Sequence, residues 1–274
     1  MVTPVLPFRT LAKASALVLL VGLLAACAVR PGAPIKGDNR PHPGVDRARA
    51  MEIQGIDVAR YQGRIDFDAA RAGGTHFVYM KATEGGDYID PMFYDNWQRA
   101  RASGMAHGAY HFMTWCRTAA EQAAWFAKMV PADPSALPPV LDLEWNNQSS
   151  CKNKFSREDV LEKIRVMLAA MEAHTGKVPV IYTDMTFHRD ILEGERFENA
   201  FWLRSTAAEP HQRYKGRGWT FWQWTQTGTM PGIRGEVDRN AFYGNRDEWT
   251  TFILTGCDPR LIATLGPQGR CSAK

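Results

Sequence analysis

The chain has 274 residues, a formal net charge of +4, and 45% apolar and 11% aromatic residues. Its Lys and Arg residues are scattered, with no run to line a nucleic-acid groove, which excludes that class of partner. No internal repeat or low-complexity block breaks it, and the roughly 225 residues left after the terminal segments suit one large domain.

The N-terminus reads as an export signal over 1–26. Arg9 and Lys13 make a basic start, and Ala14 to Ala26 is almost wholly apolar. That run falls short of the ~20 helical residues that span a bilayer. It ends in Leu24-Ala25-Ala26-Cys27, which resembles the bacterial lipobox, where the cysteine is lipidated and becomes the mature N-terminus. The alternative is an ordinary secretory signal with an incidental cysteine. Ala28, rather than Asp, follows the cysteine. By the sorting pattern of enterobacterial lipoproteins, that favours an anchor in the outer membrane, facing the periplasm. Removing Arg9 and Lys13 leaves a charge of about +2, nearly balanced. Residues 27–50, rich in Pro, Gly, Arg and Asp, read as a flexible tether.

Strands and amphipathic helices then alternate. Strands are expected over 53–58, 76–81, 107–112, 140–144 and 178–183. Helices are expected over 66–72, 91–102 and 118–129. Ser156-Arg157-Glu158-Asp159 resembles a capping box with Asp in place of Glu. The helix it opens has an apolar stripe of Val160, Leu161, Ile164, Met167, Leu168 and Met171, and Gly176 ends it. Past that point the helices fade. Strands are expected over 201–204, 220–225 and 236–239, with a last helix over 246–254. Repeated strand–helix units imply parallel strands. Eight of them predict a closed α/β barrel over 51–255. No Gly-rich phosphate turn follows the first strand, which disfavours an open doubly wound sheet. Residues 256–274 form a C-terminal tail.

Val140-Leu141-Asp142-Leu143-Glu144 is an apolar strand ending in two carboxylates. Alternation along a strand puts Asp142 and Glu144 on one side, about 7 Å apart at Cα. Such a pair can flank one glycosidic bond. Asp57 lies near the end of the first strand, Glu84 follows the second, and Asp238 falls at the last. In a barrel these ends open at one face, and closure makes Asp57 and Asp238 neighbours. One such acid is usually a cap or a loop ion pair; several at one rim point to an acidic catalytic cleft.

The segments Gly55-Ile56-Asp57-Val58 with Gln62-Gly63, Lys81-Ala82-Thr83-Glu84-Gly85, Gly108-Ala109-Tyr110-His111-Phe112, Leu141-Asp142-Leu143-Glu144, Pro179-Val180-Ile181-Tyr182-Thr183, Trp222-Gln223-Trp224, and Gly232-Ile233 leading to Val237-Asp238 follow in that order. Together they resemble the glycoside hydrolase family 25 muramidases, the Chalaropsis-type lysozymes. The resemblance implies a TIM-like barrel of modified (β/α)5(β)3 type. It also implies cleavage of the β-1,4 bond from N-acetylmuramic acid to N-acetylglucosamine in peptidoglycan, without a cofactor or metal. Matched motif by motif, Glu144 is the general acid, its pKa raised by burial and by the charge of Asp142. Asp142 is either the nucleophile or the support of the substrate's N-acetyl group, and Asp57 and Asp238 shape the cleft's field. Tyr110, Tyr182, Trp202 and Gln223 are candidate sugar contacts. For Trp202, packing is an equal alternative, and Gln223 faces away from Trp222 and Trp224. Glu84 is either a substrate contact or an ion-pair partner of Lys81. Asp184 stands where the family pattern leads one to expect a smaller residue.

Other chemistries are weaker. His107 and His111 share a strand face, but no third ligand falls at a matching strand end, as a metal-dependent deacetylase would need. No Gly-x-Ser-x-Gly elbow is present. With Cys27 assigned to lipid, Cys116–Cys151 and Cys257–Cys271 are the favoured disulfides of an exported protein. The expected molecule is a monomeric, lipid-anchored peptidoglycan hydrolase. A non-catalytic peptidoglycan-binding lipoprotein on the same barrel is the alternative.

Overall fold

A computed structural model describes residues 1, 42–146, 155–258 and 260. The chain divides into units Met1–Arg30 and Pro31–Lys274, and every element below lies in the second. In chain order these are α1 (Val45–Ala50), β1 (Ile53–Val58), α2 (Phe67–Ala72), β2 (Phe77–Glu84), β3 (Tyr88–Ile89), α3 (Phe93–Ala102), β4 (Ala106–Phe112), α4 (Ala119–Met129) and β5 (Val140–Leu143). Then come α5 (Arg157–Thr175), β6 (Val180–Thr183), α6 (Met185–Phe187), β7 (Phe201–Arg204), α7 (Pro210–Arg213), β8 (Phe221–Gly228), β9 (Val237–Phe242) and α8 (Arg246–Thr255).

Local chemistry sets the helix ends. Capping boxes open α4 (Thr118 with Glu121), α5 (Ser156 with Asp159) and α8 (Asn245 with Glu248), each satisfying backbone donors that the first turn leaves free. Asp159 does serve in place of the usual Glu. Gly176 ends α5 in the left-handed conformation, φ 72°, that residues with a Cβ resist.

The strands form one sheet in the order β1-β9-β8-β7-β6-β5-β4-β2-β3, and a β1–β2 pairing closes eight of them into a barrel. The extra strand, β3, pairs with the end of β2. One expectation is corrected. β9 runs antiparallel to both β8 and β1, not parallel. The stretch from β8 to β9 is too short to hold the helical crossover that a parallel strand needs. Asp238 therefore stands near the start of β9. An antiparallel strand begins at the rim where its parallel neighbours end, so Asp238 still reaches that rim, in register with Asp57.

A second difference lies in the expected tether. Its last six residues are α1, with Val45 and Ala48 buried against β8 and β9. No long helix follows β8, and this segment covers the exposed flank instead. Gln54 Nε2 donates to the carbonyls of Ala48 and Met51 at 2.8 and 2.9 Å, and His42 Nε2 lies 2.8 Å from the Trp224 carbonyl.

Alternation along the strands sorts the core in two. Ile56, Val58, Val78, Met80, Leu141, Leu143, Ile181, Leu203, Trp222 and Trp224 face outward onto the helices. Inside, Phe77, Tyr79, Trp202, Phe221 and Phe242 fill the lower barrel, and Trp249 and Phe252 of α8 belong to the same cluster. Gly55 and Gly108 make room for these rings. A Cβ at Gly55 would stand 2.3 Å from Phe77, and one at Gly108 would stand 2.4 Å from Tyr79.

Cys116 and Cys257 are each in the disulfide-bonded state. Their expected partners, Cys151 and Cys271, lie outside the described residues, as does Cys27. Among the described residues, no helix is long and apolar enough to cross a membrane.

Candidate active site

The upper barrel mouth holds a cavity of about 210 Å³. Its acidic lining is Asp57, Asp142, Glu144 and Asp238, each one residue from the end of β1 or β5 or the start of β9. Each takes the inward side of its strand, as the period-2 rule requires. Tyr110, Tyr182 and Trp202 also line the cavity, together with Lys81 and Arg204.

Asp57 and Asp238 form one proton-sharing pair. They are register partners and hydrogen-bond side chain to side chain, which requires a proton on one of them. Burial, and then the charge of Asp238, push Asp57 well above the usual carboxylate range. Burial raises Asp238 to about 6. The proton they share belongs to the pair. Asn240 Nδ2 donates to Asp57 Oδ1 at 2.7 Å, and Trp202 Nε1 donates to Asn240 Oδ1 at 2.9 Å. Trp202 does both things foreseen for it: it lines the cavity and packs against Tyr79 and Tyr182.

Asp142 and Glu144 form the second pair. Asp142 is buried, and its Oδ1 has no hydrogen-bond partner among the described residues. Burial, and then the charge of Glu144, raise its pKa well above the ordinary value, against a downward pull from Lys81. Burial raises Glu144 as well, while Arg204 holds it down, Asp184 pushes it up, and the neighbouring Tyr182 hydroxyl lowers it. The sequence pointed to Asp142's charge as a cause of the rise in Glu144; the two acids are coupled, each charge opposing the other's, and Asp184 adds a further push on Glu144. Trp115 Nε1 fixes the backbone here, donating to the Glu144 carbonyl at 2.9 Å.

Two proposed sugar contacts lie off the cavity wall. Gln223 is buried beneath it: its Oε1 accepts from the Tyr182 hydroxyl at 2.7 Å, and its side chain also hydrogen-bonds Asp238. Glu84 pairs with Lys81 Nζ at 2.6 Å. A register shift between Lys81 and Thr83 turns Lys81 and Glu84 to one side although their spacing is odd. His107 and His111 face the helix layer. His107 Nδ1 lies 3.0 Å from the Met105 carbonyl, and His111 sits between Thr83 Oγ1 at 2.8 Å and Gln122 Oε1 at 3.2 Å. Arg204, Tyr61, Phe112 and Gln226 line the cavity without having been singled out. For Arg204 a signal existed, since it shares the inward face of β7 with Trp202.

Residues 56–233 match the model of the family described as glycosyl hydrolases family 25. The chain belongs to that family. A solved family 25 glycosyl hydrolase from Bacillus anthracis superposes with a TM-score of 0.70 at 35% identity, covering 77% of this chain and 96% of that one. Lysozyme M1 of Streptomyces globisporus is 33% identical over 201 residues, 70% of this chain and 68% of the relative. A protein of Escherichia coli O157:H7 named uncharacterized protein YegX is 36% identical over 209 residues, 73% of each chain. Asp57, Asp142 and Glu144 of this family 25 chain fall inside the matched segment, and Asp238 lies just past it.

Proposed function

We propose that this family 25 hydrolase is an N-acetylmuramidase, cutting the β-1,4 bond between N-acetylmuramic acid and N-acetylglucosamine in peptidoglycan. The relatives named lysozyme support the substrate class. The observation that carries the mechanism is the buried Asp142 Oδ1, an acceptor without a donor, beside a second raised carboxyl. Two interacting acids titrate as a unit, and their proton belongs to the pair. A substrate N–H donated to Oδ1 favours the charged form of Asp142 and leaves the proton with Glu144. Glu144 then protonates the leaving oxygen. Asp142, now charged, either attacks the anomeric carbon or orients the N-acetyl group that does so. Asp57 and Asp238 supply negative potential toward the oxocarbenium-like carbon.

Mass spectrometry of muropeptides after digestion, with wild type and Glu144→Gln, tests this reading. Wild type is expected to release fragments ending in reducing muramic acid, and the variant to release almost none. Release of reducing N-acetylglucosamine, of free peptides or of deacetylated sugars would assign a different bond. Binding to sacculi without cleavage would favour the binding module.

Export by a signal over 1–26, a lipid on Cys27 and outer-membrane attachment belong to the same proposal. They rest on Leu24-Ala25-Ala26-Cys27. Fatty-acid labelling that survives in Cys27→Ser would remove the anchor. The Cys116–Cys151 and Cys257–Cys271 pairings rest on the bonded state of Cys116 and Cys257, and non-reducing peptide mapping checks them.

A further inference from the structure

Arg204 ends β7 on its inward face, and its guanidinium lines the catalytic cavity. The strand end that carries it is fixed, because the Tyr214 hydroxyl donates to the Arg204 carbonyl at 2.6 Å. The guanidinium itself is not. Among the described residues it donates no hydrogen bond, and its ion pair is with Glu144 Oε2 at 4.0 Å, too long for one. The other cation in the lining differs: Lys81 Nζ is held by Glu84 at 2.6 Å. The Arg204 side chain is 32% exposed. Arginine carries five donors in a planar fork that fits a carboxylate two bonds at a time. With no protein acceptor among the described residues and a third of its side chain exposed, the guanidinium has donors open to a ligand in the cleft.

The rest of the lining limits what that acceptor is. The acids of the lining, partly protonated as they are, disfavour an acidic group in the cleft except beside a cation. A neutral sugar hydroxyl takes one bond from a guanidinium, whereas a carboxylate takes two and gains charge pairing as well.

We infer that Arg204 is a substrate-reading residue that receives a carboxylate carried next to the bond being cut. This rests on the muramidase reading. The muramic acid residue bears a lactyl carboxyl, free on peptide-stripped glycan and tied up as an amide where a stem peptide is attached. The free lactyl carboxylate is the group the site selects; a carboxylate of the stem is the other source of the same chemistry. An anion on Arg204 has a second effect. It cancels the pull that holds Glu144 down, so binding of the carboxylate favours the protonated acid.

The test uses one preparation of peptide-free glycan strands, half of it converted from lactyl carboxylate to carboxamide, with stem-bearing strands as a third arm. Reducing ends released give kcat/KM for each. Wild type is expected to favour carboxylate over carboxamide by about tenfold or more, the scale of one hydrogen bond to a charged group. Arg204→Gln brings that ratio close to one, chiefly through KM, and Arg204→Lys restores part of it. The ratio is read within each preparation, so partial unfolding does not move it. Preference for stem-bearing strands that vanishes in Arg204→Gln would place the carboxylate on the stem and still support the anion site. A wild-type ratio near one overturns the inference. So does an equal loss on both forms with a shifted alkaline limb, which would make Arg204 a positioning residue for Glu144. If wild type cut none of the three while an unrelated muramidase digested them, the underlying reading would fall and take this one with it.

Discussion

The barrel interior has two halves of opposite character. The lower half is a plug of rings: Phe221 alone packs against Phe77, Tyr79, Trp202, Phe242, Trp249 and Phe252. The upper half holds four carboxyls whose proton affinities are all raised by burial. The lower half is where apolar area leaves water; the upper half is where charge is held in an unfavourable place. One supports the other. A strained acidic cleft persists because the rings beneath it over-determine the strand positions.

Two substitutions should separate the halves most widely. Glu144→Gln removes the proton donor, and kcat should fall by ~10²–10⁴-fold, the usual share of general acid catalysis. Its Tm should hold or rise, since a crowded, partly buried carboxyl becomes neutral. Phe221→Ala should do the reverse, with stability down ~3–5 kcal/mol as for other large-to-small ring changes. The fraction still folded should keep near-native kcat. Denaturant melts run beside turnover would show whether the division holds. A Glu144→Gln variant as unstable as Phe221→Ala would show that the upper half also holds the fold.

Much of this division was legible in the sequence, for a physical reason. Period-2 alternation fixes which residues face inward, so the sequence alone assigns Asp57, Asp142, Tyr182 and Trp202 to the interior. Helix starts were legible because a capping box is a local chemical event. What escaped depends on pairing between distant segments. The direction of β9 follows from a short connection whose geometry no single residue announces. The burial of α1 follows from a gap on the barrel's flank, visible only once β8 and β9 are placed. The register shift in β2, which makes Lys81 and Glu84 partners, is a property of two strands together. Gln223 was assigned to the correct face but the wrong depth, since alternation gives side and not height.

A smaller effect should follow from the Asp57–Asp238 pair. Asn at 57 copies the protonated acid: its Oδ1 can accept from Asn240 and its amide can donate to Asp238. Because Asp57's folded pKa lies above its unfolded value, the native state binds the extra proton. Stability is therefore complete below about pH 4 and declines as pH rises through the native pKa. Asp57→Asn removes that decline. It should match wild type near pH 4 and be the more stable of the two at pH 7. Melting curves across that range check it, and a constant offset at all pH values would mean the pair is not sharing a proton.

The smallest effect belongs at the frontier between the halves. Lys81 sits one interior layer above Tyr79, with side chains of Lys81 and Glu84 17% and 30% exposed. At that exposure an ion pair is worth ~0.2–1 kcal/mol, so Glu84→Gln should lower stability by no more than that. The sharper question is activity. Glu84 holds Lys81 Nζ to one side, while the Lys81 charge lowers Asp142. Releasing Lys81 lets its charge move toward Asp142 and favours the ionised form. If the pair only braces the strand, kcat/KM should change less than about threefold and the pH profile should keep its shape, as expected for a partly exposed bridge. A profile whose acid limb moves to lower pH would instead make Glu84 the residue that keeps Lys81 from deciding where the shared proton rests. The line between supporting and reacting halves would then run through this pair rather than above it.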